Sequence, residues 1–254
     1  MPNDIFDLDG KVAIVTGGNG GIGFGIAQGL AAAGATIIVA ARNQDKTAQA
    51  VTALQALGVQ ARGLPTDVQE EASVQAMVKA TVHACGRVDI LVNDAGIGIR
   101  NAPQDYTLAE WHQVVNVNLT GVFLCSREVY PHMVNAGGGK IINIGSIFSI
   151  FGSEGVASYA ASKGGVVQLT KSLALAWAKD NVQVNAILPG WFHTELTAPA
   201  KARPERYNAI TARIPKGRWG EPDELAGAAV FLASRASDYI TGITLPVDGG
   251  YSSK

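Results

Sequence analysis

The sequence predicts an α/β fold: a single domain built on a doubly wound, seven-stranded parallel sheet with helices on both faces. Three observations carry this. Apolar runs of strand length alternate with helical patterns along the chain, an order that implies right-handed crossovers and parallel pairing. The strand runs are apolar throughout, as expected when helices cover both faces of a sheet. The first strand also passes through a glycine-rich turn directly into a helix.

The elements follow in order. Lys11 to Val15 reads as a buried strand, and Ile22 to Ala33 as a helix stopped at Gly34. Thr36 to Ala41 is β-branched and apolar, a second strand. Gln44 to Leu57 is helical and ends at Gly58, and Val59 to Leu64 is a weaker third strand. Glu70 to Ala84 is a helix and Val88 to Val92 a strand. Leu108 to Val134 reads as one long helix with Gly121 inside it, followed by a strand over Lys140 to Ile144. Tyr159 to Lys179 is helical, and Val182 to Leu188 is a strand ending at Pro189-Gly190. Glu224 to Ala233 is the last helix and Ile243 to Val247 the last strand. No composition shift divides residues 1–254. The segment 193–221 is polar, contains Pro199, Pro204 and Pro215, and interrupts the alternation. Ligands of open α/β sheets sit beyond the carboxyl ends of the strands. This excursion is therefore expected to be a substrate lid.

Composition limits the function. Of 254 residues, 47% are hydrophobic and 16% charged, against about 25% charged in ordinary soluble domains. The low charge suggests surface hidden between subunits. A net charge of −1 argues against a nucleic-acid binder with a strongly basic face. The absence of an apolar run of about 18 residues argues against a membrane span. Met1-Pro2-Asn3-Asp4 lacks the basic start and apolar core of a signal peptide. Cys85 and Cys125 make neither a disulfide framework nor a metal knuckle. A cytoplasmic setting is expected. His83, His112, His132 and His193 are scattered, so no metal site is expected.

The glycine-rich turn is Thr16-Gly17-Gly18-Asn19-Gly20-Gly21-Ile22-Gly23. Its place between a strand and a helix suits a dinucleotide pyrophosphate, in a Rossmann-like arrangement. Gly17, Asn19, Gly21, Ile22 and Gly23 are the expected contacts. A tight turn without a ligand is the alternative. No Gly-Lys-Ser/Thr follows, which disfavours a P-loop. Strand two ends Val39-Ala40-Ala41-Arg42-Asn43, with no acid for the ribose hydroxyls. Arginine suits a 2′-phosphate. NADP(H) is thus preferred; the alternative is that Arg42 is a solvated turn residue, and NAD(H) remains possible because residues 17–23 hold no lysine or arginine for a second phosphate contact.

Strand five leads into Gly145-Ser146, with Tyr159 thirteen residues after the serine and Lys163 four further on. Tyr159 and Lys163 share a helix face. With Thr16-Gly17-x-x-x-Gly21-Ile22-Gly23, Asp67-Val68, Asn93-Asp94-Ala95-Gly96, Asn118 and Pro189-Gly190-x-x-x-Thr194, they make a chain that resembles the short-chain dehydrogenases/reductases over essentially its whole length. One departure stands out: the family usually has Asn-Asn-Ala-Gly where this chain has Asp94 in second place.

The resemblance implies NADP(H)-linked interconversion of a carbonyl and a secondary alcohol. Tyr159 would be the general acid or base, its pKa lowered by Lys163 and an oxidised nicotinamide. Lys163 would also bind the nicotinamide ribose. Ser146 would hold the substrate oxygen, and Asn118 would anchor a proton-relay water. Asp67 and Val68 would flank the adenine, although Asp67 could instead cap the next helix. Asn93, Ala95 and Gly96 would line the adenosine side. Pro189, Gly190, Phe192 and Thr194 would hold the carboxamide and a phosphate, or Pro189-Gly190 could merely end a strand.

The substrate pocket is expected from residues 147–156, Ile97 to Arg100 and 191–221, with Ile147, Phe148, Glu154, Trp191 and His193 as contacts. Between 195 and 221 there are six basic residues against three acids. The excess favours an anionic small molecule, a sugar acid or an acyl-carrier-protein thioester, or it is a solvated basic loop. Arg213-Ile-Pro-Lys-Gly-Arg-Trp-Gly-Glu-Pro is similar to gluconate and deoxygluconate dehydrogenases; 3-oxoacyl-carrier-protein reductases are the alternative. A catalytically inactive NADP sensor would lack Tyr159 or Lys163, and both are present. A methyltransferase would not need Ser146, Tyr159 and Lys163 in register. A serine hydrolase would have a glycine two residues before Ser146. The resemblance further implies a homotetramer.

Overall fold

The computed structural model describes residues 5–253. The Met1-Pro2-Asn3-Asp4 stretch read above lies outside the described residues. Seven strands form one parallel sheet in the order β3-β2-β1-β4-β5-β6-β7. They are β1 (Val12–Thr16), β2 (Thr36–Ala41), β3 (Ala61–Pro65), β4 (Ile90–Asn93), β5 (Gly139–Ile144), β6 (Val182–Pro189) and β7 (Thr244–Val247). The helices are α1 (Gly21–Ala32), α2 (Gln44–Gln55), α3 (Glu71–Cys85), α4 (Leu108–Val115), α5 (Gly121–Asn135), α6 (Ala157–Trp177), α7 (Ala198–Lys201), α8 (Pro204–Arg213) and α9 (Ala226–Ala233).

Helices cover both faces. Ile26 and Leu30 of α1, Leu54 of α2, and Ala229 and Leu232 of α9 pack on one face with Ile37, Val39, Ile142 and Ile144 of the sheet. Met77 and Val78 of α3, Val129 and Met133 of α5, and Leu173 of α6 pack on the other with Ile14, Ile38, Leu91 and Val184. β1, β4 and β6 are buried at every residue, which is why their sequence shows no polar alternation. The strand order reverses between β1 and β4, and that switch point opens a crevice at the carboxyl ends. Register brings Thr16, Ala40 and Asn93 level there.

Two expectations need revision. The helix expected over Leu108 to Val134 is interrupted by a π turn at Asn116–Thr120 between α4 and α5. The segment 193–221 is not irregular: it carries α7 and α8. Pro199 and Pro204 sit in the first turns of those helices, where a missing N–H costs nothing, and Pro215 follows the end of α8. A parallel bridge between Phe192 and Gly220 closes the base of the excursion. No helix among the described residues is long and apolar enough to cross a membrane.

Candidate active site

A cleft of about 740 Å³ runs along the carboxyl ends of the strands, from Arg42 after β2 to Tyr159 of α6 and Leu196. Its floor is the turn between β1 and α1. The Thr16 hydroxyl accepts hydrogen bonds from the Asp94 and Ala95 N–H groups at 3.1 and 3.2 Å, tying the ends of β1 and β4 together. Gly17 has φ +71°, and a β-carbon there would stand 3.0 Å from the Ala95 backbone. At Gly23 a β-carbon would stand 2.5 Å from the Asp94 carboxylate and 2.7 Å from the Gly17 carbonyl. Backbone therefore forms the floor, and a phosphate can lie directly on it. Gly20 starts α1 without a side-chain cap, and the first turn holds no acid. Free N–H groups and the positive dipole end face the cleft. This cradle fits the pyrophosphate of a dinucleotide. Gly17, Asn19, Gly21 and Ile22 line it. Gly23 is corrected: it lies under the turn against Asp94 and does not line the cleft.

At the adenosine end, Arg42, Asp67 and Val68 line the cleft. Arg42 lies 3.9 Å from the Asp67 carboxylate. That carboxylate also accepts from the Gln69 N–H at 3.0 Å, so Asp67 shapes the loop before α3 as well as the cleft wall. Asn19 donates to the Asn43 carbonyl and to the Thr47 hydroxyl at 3.3 and 3.1 Å, joining the glycine-rich turn to α2. Ala95 and Gly96 line the cleft. Asn93 does not, contrary to expectation. It is 2% exposed and its amide donates to Ser126 and Asn143 at 3.1 and 2.9 Å. Asn143 in turn donates to Thr170 at 2.9 Å. As the last residue of β4, Asn93 points into the layer between sheet and helices, where it links β4, β5, α5 and α6.

The catalytic end depends on the π turn. Its extra residue places Asn118 fully buried, with its amide clamped on the backbone of Ile97. Asn118 Oδ1 accepts from the Ile97 N–H at 2.8 Å, and Nδ2 donates to the Ile97 carbonyl at 2.9 Å and to Ser162 at 3.1 Å. π turns recur where a helix must present a particular side chain. Asn118 and Lys163 flank the same spot: a β-carbon on Gly96 would lie 3.4 Å from Asn118 Oδ1 and 3.6 Å from Lys163 Nζ.

Ser146, Tyr159 and Lys163 all reach the cleft. The Ser146 hydroxyl accepts from the Phe148 N–H at 3.1 Å, which leaves its own proton free. It meets the Tyr159 phenol. Lys163 is 4% exposed, donates to the Ile144 carbonyl at 2.6 Å, and lies 5.8 Å from the centre of the Tyr159 ring. Burial pulls its ammonium down to about 8, against the pull of Asp94. Burial pushes the Tyr159 phenol up to about 12; Ser146 draws it back and Asp94 adds to the rise. Desolvation dominates, and the ammonium donates one of its hydrogens to the Ile144 carbonyl. Asp94 itself is lifted to about 7 by burial, against Lys163 and the Gly23 N–H. The Asp94 departure thus places a half-buried carboxyl in the cleft wall beside Lys163.

Pro189, Gly190, Phe192 and Thr194 line the opposite wall. The expected substrate contacts lie around this cleft rather than in its wall. Ile147 is buried with Ile214, Trp219 and Tyr251 under the lid. Trp191 stacks obliquely on Trp219, with ring centres 5.1 Å apart. His193 follows Phe192 in the bridged segment, so it faces the other way, and lies 3.7 Å from Glu221. Glu154 is exposed. None of these four lines the cleft. Phe148 does not line it either, but packs edge-on to Tyr159 at 6.4 Å. The wall near Tyr159 is instead formed by Gly98 and Leu196: a β-carbon on Gly98 would lie 3.5 Å from Leu196 and 3.6 Å from the Tyr159 ring. Nothing in the sequence pattern singled out Leu196. Arg100 is pulled down by burial and by repulsion from Arg206 and Arg203, so three guanidiniums gather beside the lid. Among the described residues no three His, Cys, Asp or Glu side chains group to hold a metal ion.

Residues 17–252 match the family model described as Enoyl-(Acyl carrier protein) reductase. The chain is 43% identical over 252 residues to a 2-dehydro-3-deoxy-D-gluconate 5-dehydrogenase of Formosa agariphila, covering 98% of this chain and 96% of the relative. It is 43% identical over 249 residues to the 5-keto-D-gluconate 5-reductase of Escherichia coli K12, covering 98% of each. A gluconate 5-dehydrogenase from Burkholderia cenocepacia, solved with NADP and tartrate, superposes with a TM-score of 0.95 at 43% identity, covering 99% of this chain and 98% of that one.

Proposed function

The chain belongs to the short-chain dehydrogenase/reductase family and is an oxidoreductase of secondary alcohols and ketones; from that premise we propose that it uses NADP(H) on a sugar acid of the gluconate type. One observation carries the reading: Ser146, Tyr159 and Lys163 meet in the same cleft whose other end is the bare glycine-rich cradle and Arg42. The names of the relatives point to keto and hydroxy sugar acids. Arg100, Arg203 and Arg206 lie close enough to repel one another, a basic cluster that supports a carboxylate substrate.

The residues that would hold the cofactor are the turn at Gly17–Ile22, Arg42 at the 2′-phosphate, and Pro189 to Thr194 along the nicotinamide wall. When bound, the nicotinamide gives or takes the hydride. In reduction, the neutral Tyr159 phenol donates its proton to the substrate oxygen, and the Ser146 hydroxyl holds that oxygen and stabilises the charge developing on it. Lys163, held by the Ile144 carbonyl, would bind the nicotinamide ribose and return a proton to Tyr159, and Asn118 would anchor the water that links Lys163 to solvent. In oxidation the phenolate would be needed, and a positively charged oxidised ring would favour it against the burial that raises Tyr159. NAD(H) enters the same cradle more weakly, because it gives Arg42 nothing to grip.

The test is turnover of 5-keto-D-gluconate, simple ketones and 3-oxoacyl thioesters, each with NADPH, followed at the nicotinamide absorbance. Preference for the keto acid supports the reading. Preference for the thioester would move it to the 3-oxoacyl-carrier-protein reductases. An inactive NADP sensor would turn over none of them.

The assembly we propose is a homotetramer in the cytoplasm. Phe123 and Val134 of α5 are 39% and 37% exposed and Leu175 of α6 is 85% exposed, apolar surface on the two helices that the family pairs between subunits. Leu169, Leu173 and Trp177, by contrast, face the core. Two free cysteines accord with a reducing compartment. Gel filtration with light scattering reads the assembly directly.

A further inference from the structure

We propose that Lys46 is a second cation for the 2′-phosphate of NADP(H), and that Glu195 competes with that phosphate for it. The proposal rests on the NADP(H) reading above. Lys46 and Glu195 lie 149 positions apart in sequence, one in the first turn of α2 and the other at the start of the lid, yet both line the cleft and meet across it. The Lys46 ammonium donates to both carboxylate oxygens of Glu195, at 2.6 and 2.8 Å. The Lys46 backbone is fixed, because its N–H donates to the capping Asn43 side chain at 3.0 Å. Arg42, in the bend just before α2, lines the cleft as well. The other charges nearby are Asp67, 3.9 Å from Arg42, and Asp45 in the first turn of α2.

A 2′-phosphate carries about −1.5 to −2 charges at neutral pH and has three strong acceptor oxygens, against one charge on Glu195. It therefore takes Lys46 when it arrives. Glu195 is then released, and with it the tie between α2 and the first residues of the lid. A nucleotide without the phosphate leaves the tie in place. Lys46 thus adds to the discrimination of Arg42, and Glu195 subtracts from the affinity for NADP(H) while leaving NAD(H) untouched. This reverses the ordinary expectation that removing a salt bridge beside a binding cleft weakens binding.

The experiment is equilibrium titration of the full chain with NADPH and with NADH, by nicotinamide fluorescence at low salt, for wild type, Glu195→Gln, Lys46→Met and the double variant. An exposed ion pair of this kind sets the scale: Glu195→Gln should tighten NADPH about two- to fivefold and leave NADH unchanged. Lys46→Met should weaken NADPH about three- to tenfold with little effect on NADH. In the double variant the gain from Glu195→Gln should vanish. The proposal is overturned if Glu195→Gln leaves NADPH affinity unchanged, shifts both nucleotides alike, or keeps its gain without Lys46. A wild type that binds both nucleotides equally removes the NADP(H) reading and this proposal together. A wild type that prefers NADPH while both single variants are inert removes this proposal alone.

Discussion

Asp94→Asn should stabilise the protein, and more at pH 8 than at pH 5. Burial lifts the Asp94 carboxyl from 3.8 to about 7. Between those two values the folded protein holds a proton that the unfolded chain has released, so stability falls as pH rises through that window. At about 1.4 kcal/mol per pH unit, the rise from 3.8 to about 7 sets a ceiling of roughly 4 kcal/mol by pH 8. Asparagine keeps the shape and the acceptor for the Gly23 N–H but carries no charge. Lys163 loses a partner in the exchange, which offsets part of the gain, so about 1–3 kcal/mol is expected at pH 8. For a chain of this size that is roughly 3–10 °C in melting temperature. Melting scans of both proteins at pH 5, 6, 7 and 8 measure it. The advantage of the variant should widen up to pH 7 and then level. A variant less stable than wild type at pH 8, or an advantage that shrinks as pH rises, would show that Asp94 and Lys163 form a favourable ion pair and refute the reasoning.

Three further outcomes follow from the same geometry. Arg42→Glu should weaken NADPH binding by about tenfold or more, on the scale of a charge-assisted hydrogen bond replaced by repulsion, and leave NADH binding within about twofold; equal losses would reject the 2′-phosphate assignment. Asn118→Leu leaves the Ile97 N–H and carbonyl without partners, so it should cost about 1–3 kcal/mol of stability, read as a lower melting temperature, and reduce turnover with it. Alcohol oxidation should climb with pH across 7–10, because burial holds Tyr159 up at about 12 before the cofactor acts, while ketone reduction stays flat between pH 6 and 8; an oxidation limb centred below pH 6 would contradict this.

Much of the fold was legible because each signal had a local cause. Doubly buried strands have to be apolar, so β1, β4 and β6 stood out, whereas the edge strand β3, with Arg62 and Gly63 exposed, read weakly and starts two residues later than its pattern suggested. Gly17 and Gly21 could be read because a strand-to-helix turn over a phosphate leaves no room for side chains. The π turn could not, because Asn116–Thr120 continues the apolar pattern of the helix on either side. The lid helices were hidden by prolines that break a helix inside but open one at its start. Within the site, Tyr159, Lys163 and Ser146 were placed from motif order alone. Asn93 was misplaced because it borders cleft residues in sequence while its side chain points the other way. The pair between Lys46 and Glu195 had no sequence signature, since only folding brings the two together. The raised value of Tyr159 was also invisible, because desolvation depends on everything packed around the ring.

The central claim is that the Tyr159 phenol delivers the proton while the nicotinamide beside it delivers the hydride. Single-turnover reduction of 5-keto-D-gluconate by NADPH-loaded Tyr159→Phe tests it most directly. The expected rate loss is about 10²–10⁴-fold, with NADPH affinity within about twofold of wild type and the melting temperature unchanged. A Tyr159→Phe protein that binds NADPH normally and reduces the keto acid at the wild-type rate would contradict the claim.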